Sequence, residues 1–446
     1  MSKQRRTHRE GEDRGPDGHD RTTEITGERH VGPFVMALAS HGYCAVVRSK
    51  RQAMTGGTLV AAGMMGMNLA VYGFNIVSAR MLIPQEFGAL TALFGIILVG
   101  NVASLGLQAV TARRLAVDPL NRDQIISATA RVTFTVAAAV GVLVALLTVV
   151  LTPALKLDSY WPVILCGATL VPLTIMGAEA GVAQGTSRWG SLTAIYLGNG
   201  IGRVIGGTLA LAVSPTTTSA MIGIALGSWL PVAAGARLLL GHSDSGHPIS
   251  RRPLLREAVL STHALLAYFV LSNMDSLIAR NRFDVHDSGL YASGLILAKA
   301  ALFFPQFVSV VLFPDLARAT THHARLRAVT LVAGFGALAV AATAVLPHVA
   351  LILVGGDKYA DVTDRLWLFA LAGSLLAIVH LLVFDALARH AHGIVFMLWG
   401  AVAAVVAVAY GLDVSFTGLV LTVTVVAATL AAIVWITPGE RGDVAS

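Results

Sequence analysis

Cysteine is almost absent: Cys44 and Cys166 are the only two in 446 residues. One precedes the first long apolar run and the other lies inside the fourth, so they build neither a disulfide framework nor a thiolate metal site, and free thiols are expected. Charge is scarce as well, at 13% of residues, about half the share of a soluble domain. The motifs of common catalysis are missing too, with no HExxH, no GxSxG, no Walker phosphate loop and no Cys/His cluster at metal spacing. Zinc hydrolysis, serine hydrolysis and P-loop chemistry therefore find no residues to carry them, and no cofactor or metal is expected.

What is abundant is apolar surface. Hydrophobic residues make up 55% of the chain and the mean hydropathy is +0.71, values that belong to a membrane protein. Apolar stretches of about 20 residues, the length that crosses a bilayer, begin near residues 55, 87, 128, 161, 190, 218, 257, 288, 328, 363, 393 and 415. Nearly every connection between them is short, so no large soluble catalytic domain is inserted. The expected fold class is an all-α polytopic bundle of about twelve transmembrane helices.

The formal net charge is +7. Its basic residues are scattered through membrane-flanking loops and form no stripe, so nucleic acid is not expected as a partner. Residues 1–54 open with a charged, Gly- and Arg-rich tail to about Arg29, expected to be disordered. A weaker apolar piece, "VGPFVMALASHGYCAVV", follows; it either lies flat at the membrane surface or precedes a true start at Met54. The long, mixed-charge leader and the lack of a cleavage site argue against a signal peptide.

Lys and Arg placement orients the bundle. With the N-terminus inside, the inner loops hold twelve arginines: Arg113, Arg114, Arg122, Arg188, Arg237, Arg251, Arg252, Arg256, Arg318, Arg325, Arg327 and Arg389. The outer loops hold five basic residues, Arg80, Lys156, Arg280, Arg282 and Lys358. Both termini are thus expected in the cytoplasm of a plasma-membrane protein.

The two halves echo each other. "ARMLIPQEFGALTALFG" follows span one and "ARNRFDVHDSGLYASGL" follows span seven, while "VTARRLA" and "LFPDLAR" end spans two and eight at an offset of 201 residues. The expected organisation is a cytoplasmic tail (1–54), a six-helix lobe (55–240), a basic cytoplasmic linker (241–256), a second six-helix lobe (257–437) and a short cytoplasmic tail (438–446).

"ARMLIPQEFGAL", "GVAQGTSRWGSL", "SNMDSLIARNRFDVHDSGLYASGLILAK", "VLFPDLAR" and "LILVGGDKYADV" stand in this order between about residues 79 and 362. Together they resemble the Wzx-like polysaccharide flippases of the multidrug/oligosaccharidyl-lipid/polysaccharide (MOP) superfamily, relatives of the drug-exporting MATE proteins. The resemblance implies two pseudo-symmetric lobes around a central cavity. It also implies a lipid-linked glycan substrate moved from the inner to the outer leaflet, and partners among membrane lipids and the glycosyltransferases or polymerase of the same pathway.

Residues 197–207 read "LGNGIGRVIGG" and place Arg203 near the middle of span five. A central arginine costs about 2.5–3.5 kcal/mol on insertion scales, so it faces protein or a wet cavity. It serves either a structural ion pair or a pyrophosphate, for which its planar fork and permanent charge are suited. Lys299 lies about eleven residues into span eight, roughly 16 Å deep, where it and Arg203 are expected to meet one anion. Asp275 is the expected counter-ion for either. Asn199, Asn68 and Asn75 complete the candidate substrate-binding set, although tying helices together is their commoner use. His380 reads as a neutral helix residue and Asp385 as reaching the cytoplasmic interface. The stripes Gly198/Gly202/Gly206 and Gly177/Gly181/Gly185 fit close helix packing, and Pro172, Pro231 and Pro305 are candidate breaks.

Three rivals stand beside the flippase: a cation-coupled multidrug exporter, a membrane glycosyltransferase or ligase, and a scaffold without transport. The exporter expects a membrane carboxylate in the first lobe, where span one offers asparagines. The enzyme expects an acidic pair, for which only Asp357 and Asp361 in a long outer loop at 347–363 have the spacing. A topology follows that labelling can check: cysteines placed at Lys156 and Lys358 should react with an impermeant reagent from outside, and those at Arg252 and Arg325 should not. Outside access at Arg252 would overturn the orientation.

Overall fold

The computed structural model describes residues 33–240, 262–316, 322–388 and 393–436, with side chains over 56–240, 262–303, 325–386 and 393–436. The linker at 241–256, its Arg251, Arg252 and Arg256, the tail to Arg29, the tail at 438–446, Arg318, Arg389 and the side chains of Cys44 and Pro305 lie outside these. The chain divides into two compact units, 1–53 and 54–446; all that follows concerns the second.

Long apolar segments pair their backbone N–H and C=O groups within one helix, which with the closed barrel is the economical state in hydrocarbon. α1 (Pro33–Met81) crosses over Gly56–Met81. Span two is α2 (Pro84–Gly100) with α3 (Val102–Val117), and span three is α4 (Arg122–Leu146) with the short α5 (Thr148–Ala154). α6 (Trp161–Gly185) and α7 (Trp189–Val213) are spans four and five. Span six is α8 (Thr217–Gly227), α9 (Trp229–Gly235) and a 3₁₀ turn, Ala236–Leu238. In the second lobe α10 (262–271) and α11 (Met274–Arg282) form span seven, followed by α12 (Val285–Leu316), α13 (His322–Val345) and α14 (Pro347–Val354). α15 (Leu366–Ala388), α16 (Gly393–Gly411) and α17 (Phe416–Ile436) complete it. Among the described residues nine segments are long and apolar enough to cross a membrane by those criteria. α7, the broken pair α10–α11 and α12 occupy the other three of the twelve expected positions.

The lobes are pseudo-symmetric, and the packing partners show it. In the first lobe α6 is central, packed by α3, α4 and α8, with α7 against α8; in the second α15 is central, packed by α12, α13 and α17, with α16 against α17. Span four thus corresponds to span ten, and spans two, three and six to eight, nine and twelve. The glycine stripes act in this packing. A Cβ at Gly202 would strike the Gly227 carbonyl across α7 and α8, and one at Gly177 would strike Ser104 across α6 and α3. Pro231 lies four residues after Gly227, and α8 gives way to α9 at Ser228, where the proline ring would meet the i−4 carbonyl. Pro172, by contrast, sits buried inside an unbroken α6.

The lobes meet at one end. α2 packs on α11 and α12, with Gly88 against Gly289 and Gly95 against Ser276 and Asn273. α3, beyond the break at Asn101, packs on α4 and α6 of its own lobe. Arg280, 4% exposed, locks this end: its Nε donates to the Leu155 carbonyl at 2.8 Å, Nη1 to Gln85 O at 3.0 Å and Ser288 Oγ at 3.0 Å, and Nη2 to Lys156 O at 3.1 Å. Lys156 returns a bond to Phe283 O at 2.6 Å, and Asn281 binds Ala154 O at 2.9 Å.

The segment expected as a long outer loop at 347–363 is instead α14 and a 3₁₀ helix, Asp357–Arg365. Gly355 and Gly356, at φ 135° and 85°, make the left-handed turn between them, a conformation that side chains resist. The 3₁₀ helix is drawn inward because Tyr359, fully buried, donates to Ala79 O at 3.1 Å, while Lys358 binds Arg80 O at 2.8 Å and Leu82 O at 2.6 Å. Asp357 and Asp361 thus belong to a lobe junction. Arg280→Ala should orphan several buried carbonyls at that junction, each charged bond being worth about 1.5–3 kcal/mol. Spin-label distances between residues 86 and 287 should lengthen in Arg280→Ala; an unchanged distribution would show that the lobes close without it.

Candidate substrate site at the helix break

Span seven is interrupted where the sequence reads Ser-Asn. Ser272 N still bonds Tyr268 O at 2.9 Å, but Asn273 N closes a tighter turn on Val270 O at 3.2 Å, and Asn273 leaves helical geometry at φ −131°. The break frees the Ser272 carbonyl inside the lobe. Lys299 answers it, its Nζ donating to Ser272 O at 2.5 Å and to Asn273 Oδ1 at 2.8 Å. Asp275, 5% exposed, takes Ser276 N on Oδ1 at 2.8 Å and the Tyr291 hydroxyl on Oδ2 at 3.4 Å. A small cavity beside these groups is lined by Ser272, Asp275, Tyr291, Lys299, Phe369 and Leu376. Tyr291 is held by Phe369 and Phe416 at centroid distances of 5.1 and 5.4 Å. α12 starts at Val285, so Lys299 is fourteen residues in, about 21 Å along the axis at 1.5 Å per residue.

Arg203 sits on the other side of α2. Its guanidinium lies 5.2 Å from the centre of the Phe94 ring, next to Gly95, which faces Asn273. Arg203 and Lys299 are therefore at one level, flanking α2 from opposite lobes, but they are spent differently. The ammonium is tied to its own helix break. Arg203 as a whole is half-buried, and its guanidinium makes no hydrogen bond or ion pair among the described residues. Asp275 belongs to the Lys299 cluster and is not joined to Arg203 by any described contact.

The remaining candidates scatter. Asn199 Nδ2 reaches the Met67 sulfur at 3.5 Å, while Asn68 and Asn75 are half-buried on α1 with no hydrogen bond among the described residues. His380 stacks edge-on to Tyr268 at 4.7 Å and lies 4.8 Å from Phe384. Asp385 pairs with Arg325 at 3.2 Å, and Arg325 also covers Trp435 at 4.6 Å and binds Val434 O at 3.0 Å. Cys166 is buried and free. One group was overlooked in the sequence: Glu179, 1% exposed, the sole acid in the 25 residues of α6. An isolated carboxylate in such a run was the available signal.

No family model matches the chain, and no curated protein matches it either. Solved structures do. The inward closed conformation of the lipid II flippase MurJ aligns at TM-score 0.69 with 11% identity, covering 84% of this chain and 86% of that one. An inward-facing multidrug resistance MATE transporter of the MOP superfamily aligns at 0.65 with 11% identity, over 84% and 96% of the two chains. The eukaryotic MATE transporter AtDTX14 aligns at 0.54 with 16% identity, over 88% and 97%. The chain has the MATE and MurJ fold. In this chain's version of that fold, the helix break in span seven, Asp275 and Lys299 lie in the second lobe, and Arg203 in the first.

Removing Lys299 orphans the Ser272 carbonyl and takes the nearby ammonium away from the buried Asp275, at about 1.5–3 kcal/mol for a bond to a charged group. Lys299→Ala should accordingly lower the melting temperature of the detergent-solubilised protein sharply, and Asp275→Asn in the same chain should restore most of the loss. If Lys299→Ala alone melted like the wild type, the ammonium would be free for another ligand.

Proposed function

We propose that the chain is a transporter that flips a lipid-linked, pyrophosphate-bearing glycan across the plasma membrane by alternating access, with Arg203 as the phosphate ligand. The observation that carries this reading is the guanidinium at mid-span with no hydrogen bond or ion pair among the described residues. Burying a cation at that depth without a partner is unfavourable, so the position is explained by a ligand that brings negative charge. A phosphate does so with two oxygens at the spacing of the guanidinium fork. Lys299 contributes field at the same level while its own bonds hold the helix break. Asn199, Asn68 and Asn75 lie on the Arg203 side and supply polar groups for the headgroup. The sugar travels through water between the lobes and the lipid tail stays in the bilayer, since a glycan in hydrocarbon without partners is prohibitive.

The basic count places the sealed end, with Arg280 and Lys358, outside, and both termini in the cytoplasm. The conformation is then inward-facing, ready for substrate from the cytoplasmic leaflet. Pathway glycosyltransferases or a polymerase are the fitting partners. A cation-coupled drug exporter shares the fold, and Glu179 gives the first lobe the membrane carboxylate such an exporter expects, but an arginine with no ionic partner among the described residues repels cationic cargo.

Arg203→Ala should leave membrane abundance unchanged while lipid-linked precursor accumulates on the cytoplasmic leaflet. Two lost charge-assisted bonds at about 1.5 kcal/mol each correspond to roughly a hundredfold in transport. Arg203→Lys keeps the charge without the fork and should retain partial activity. Normal export by Arg203→Ala would end the phosphate assignment; loss of the protein itself would mark Arg203 as structural.

A further inference from the structure

The surface of α7 is divided by the helical period. Gly198, Gly202 and Gly206 meet α8 and α9, while Gly200 and Gly207 meet α1 at Met67 and Phe74. Between these two packed faces lie Tyr196, Asn199 and Arg203, at i, i+3 and i+7 on one side of the helix. Seven residues are nearly two full turns, so Tyr196 and Arg203 stand almost in line, about 10 Å apart along the axis. α6 leads away from the Arg280 junction and α7 starts back from its far end. Tyr196 is therefore the member of the stripe farther from that junction.

The stripe meets span two at both levels. Arg203 lies over Phe94 of α2. Two turns away, Gln108 of α3 donates from Nε2 to the Tyr196 hydroxyl at 2.8 Å and to Gln184 Oε1 at 3.1 Å, and Gln184 stands in the last turn of α6. Three helices thus bring three uncharged polar side chains to one point. Their mutual bonds fix what each has left. Both N–H groups of the Gln108 amide are spent, so its plane is held and its Oε1 is presented as an acceptor. The Gln184 amide keeps its two N–H donors and Tyr196 keeps its hydroxyl hydrogen, with no further side-chain hydrogen bond to any of the three among the described residues. Gln184 is exposed, and Gln108 and Tyr196 are half-buried, so these groups remain within reach of a ligand.

The three side chains are neutral and hold no ion. One fixed acceptor and several donors beside an aromatic ring match a neutral group rich in hydroxyls, such as two neighbouring hydroxyls of a sugar. One hydroxyl donates to Gln108 Oε1, the other accepts from Gln184 Nε2, and the apolar face of the ring lies on Tyr196. We infer that Gln108, Gln184 and Tyr196 form a sugar subsite of the first lobe, which takes a hexopyranose ring of a substrate whose phosphate is held at Arg203. This rests on the phosphate reading of Arg203 given above and adds to it the contact that reads the glycan. Asn199 lies between the two on the same stripe, beside the linkage that joins phosphate to sugar.

A cluster that only ties α3, α6 and α7 together would affect every ligand alike when altered. A sugar subsite affects only ligands that carry sugar, and the two are separated by comparing a bare lipid with a glycosylated one.

The test uses purified full-length protein in lipid nanodiscs and four probes: polyprenyl pyrophosphate, and the same lipid carrying a disaccharide of glucose, of galactose or of N-acetylglucosamine. Kd is measured for each by fluorescence titration. Wild type should bind at least one sugar-bearing lipid about tenfold tighter than the bare lipid, the worth of two neutral hydrogen bonds. Gln108→Leu should abolish this preference, and Gln184→Ala, at an exposed position, and Tyr196→Phe should each reduce it several-fold, with the Kd of the bare lipid unchanged. Should Gln108→Leu fail to fold, the other two variants decide. Equal wild-type affinity for all four probes, a preference that survives in Gln184→Ala and Tyr196→Phe, or a loss that strikes the bare lipid equally overturns the subsite. Arg203→Ala should weaken all four probes alike. If it leaves the bare lipid bound as in wild type, the phosphate reading fails, whereas the subsite fails on the sugar preference, so the two failures are told apart.

Discussion

Charges that enter a bilayer must be matched inside the protein, and this constraint orders the whole molecule. It acts in three ways here. Lys299 is matched by a carbonyl that the helix itself gives up at Ser272, with Asp275 close by. Arg280 is matched wholly by carbonyls and one hydroxyl, and because those belong to both lobes, satisfying one side chain also closes one end. Glu179 and Arg203 are matched by no described ionic partner, which sets them apart from the other charges within the spans.

The alternating access proposed above calls for lobes that are rigid inside. Rigidity comes from backbone contact: Gly202 against Gly227 and Gly177 against Ser104 bring helices together so closely that no Cβ fits, and such contacts gain from dispersion where no hydrophobic force acts. Between the lobes the same close contact recurs where α2 meets α12, at Gly88 and Gly289, and a rim of side chains donating to carbonyls is added around Arg280, Lys156, Lys358 and Tyr359. The lobe junction thus carries a polar rim that the lobe interiors lack.

Much of the fold was legible because its signals are local. Span positions depend on runs of about 20 apolar residues, and the doubling of the lobes on the echo between "ARMLIPQ" and "ARNRFDV". The site was legible only as a set of residue types. Composition flagged Arg203, Lys299 and Asp275, since any charge in an apolar run stands out. It gave no hint that Lys299 folds back onto Asn273 while Arg203 turns to Phe94. The break at Ser272–Asn273 contains neither Pro nor Gly, so no local signal announced it. The segment at 347–363 looked like a loop because it is polar, and became helix because Tyr359 found an acceptor at Ala79, 280 residues away in the chain.

By itself the sequence determined the solvent: chain composition sets whether a segment prefers water or hydrocarbon, and hydrocarbon admits helices or closed barrels. It also determined the number of spans and the two-fold repeat, which follow from the order of apolar runs. Tertiary structure alone decided which charges are spent and which are free, because pairing depends on side chains from distant spans arriving at one depth. Arg280 joins residues 124 and 125 positions apart, and Glu179 is left beside Gly235 by the packing of α6 on α9. Burial and partnership are properties of packed helices, and neither has a counterpart in the linear chain.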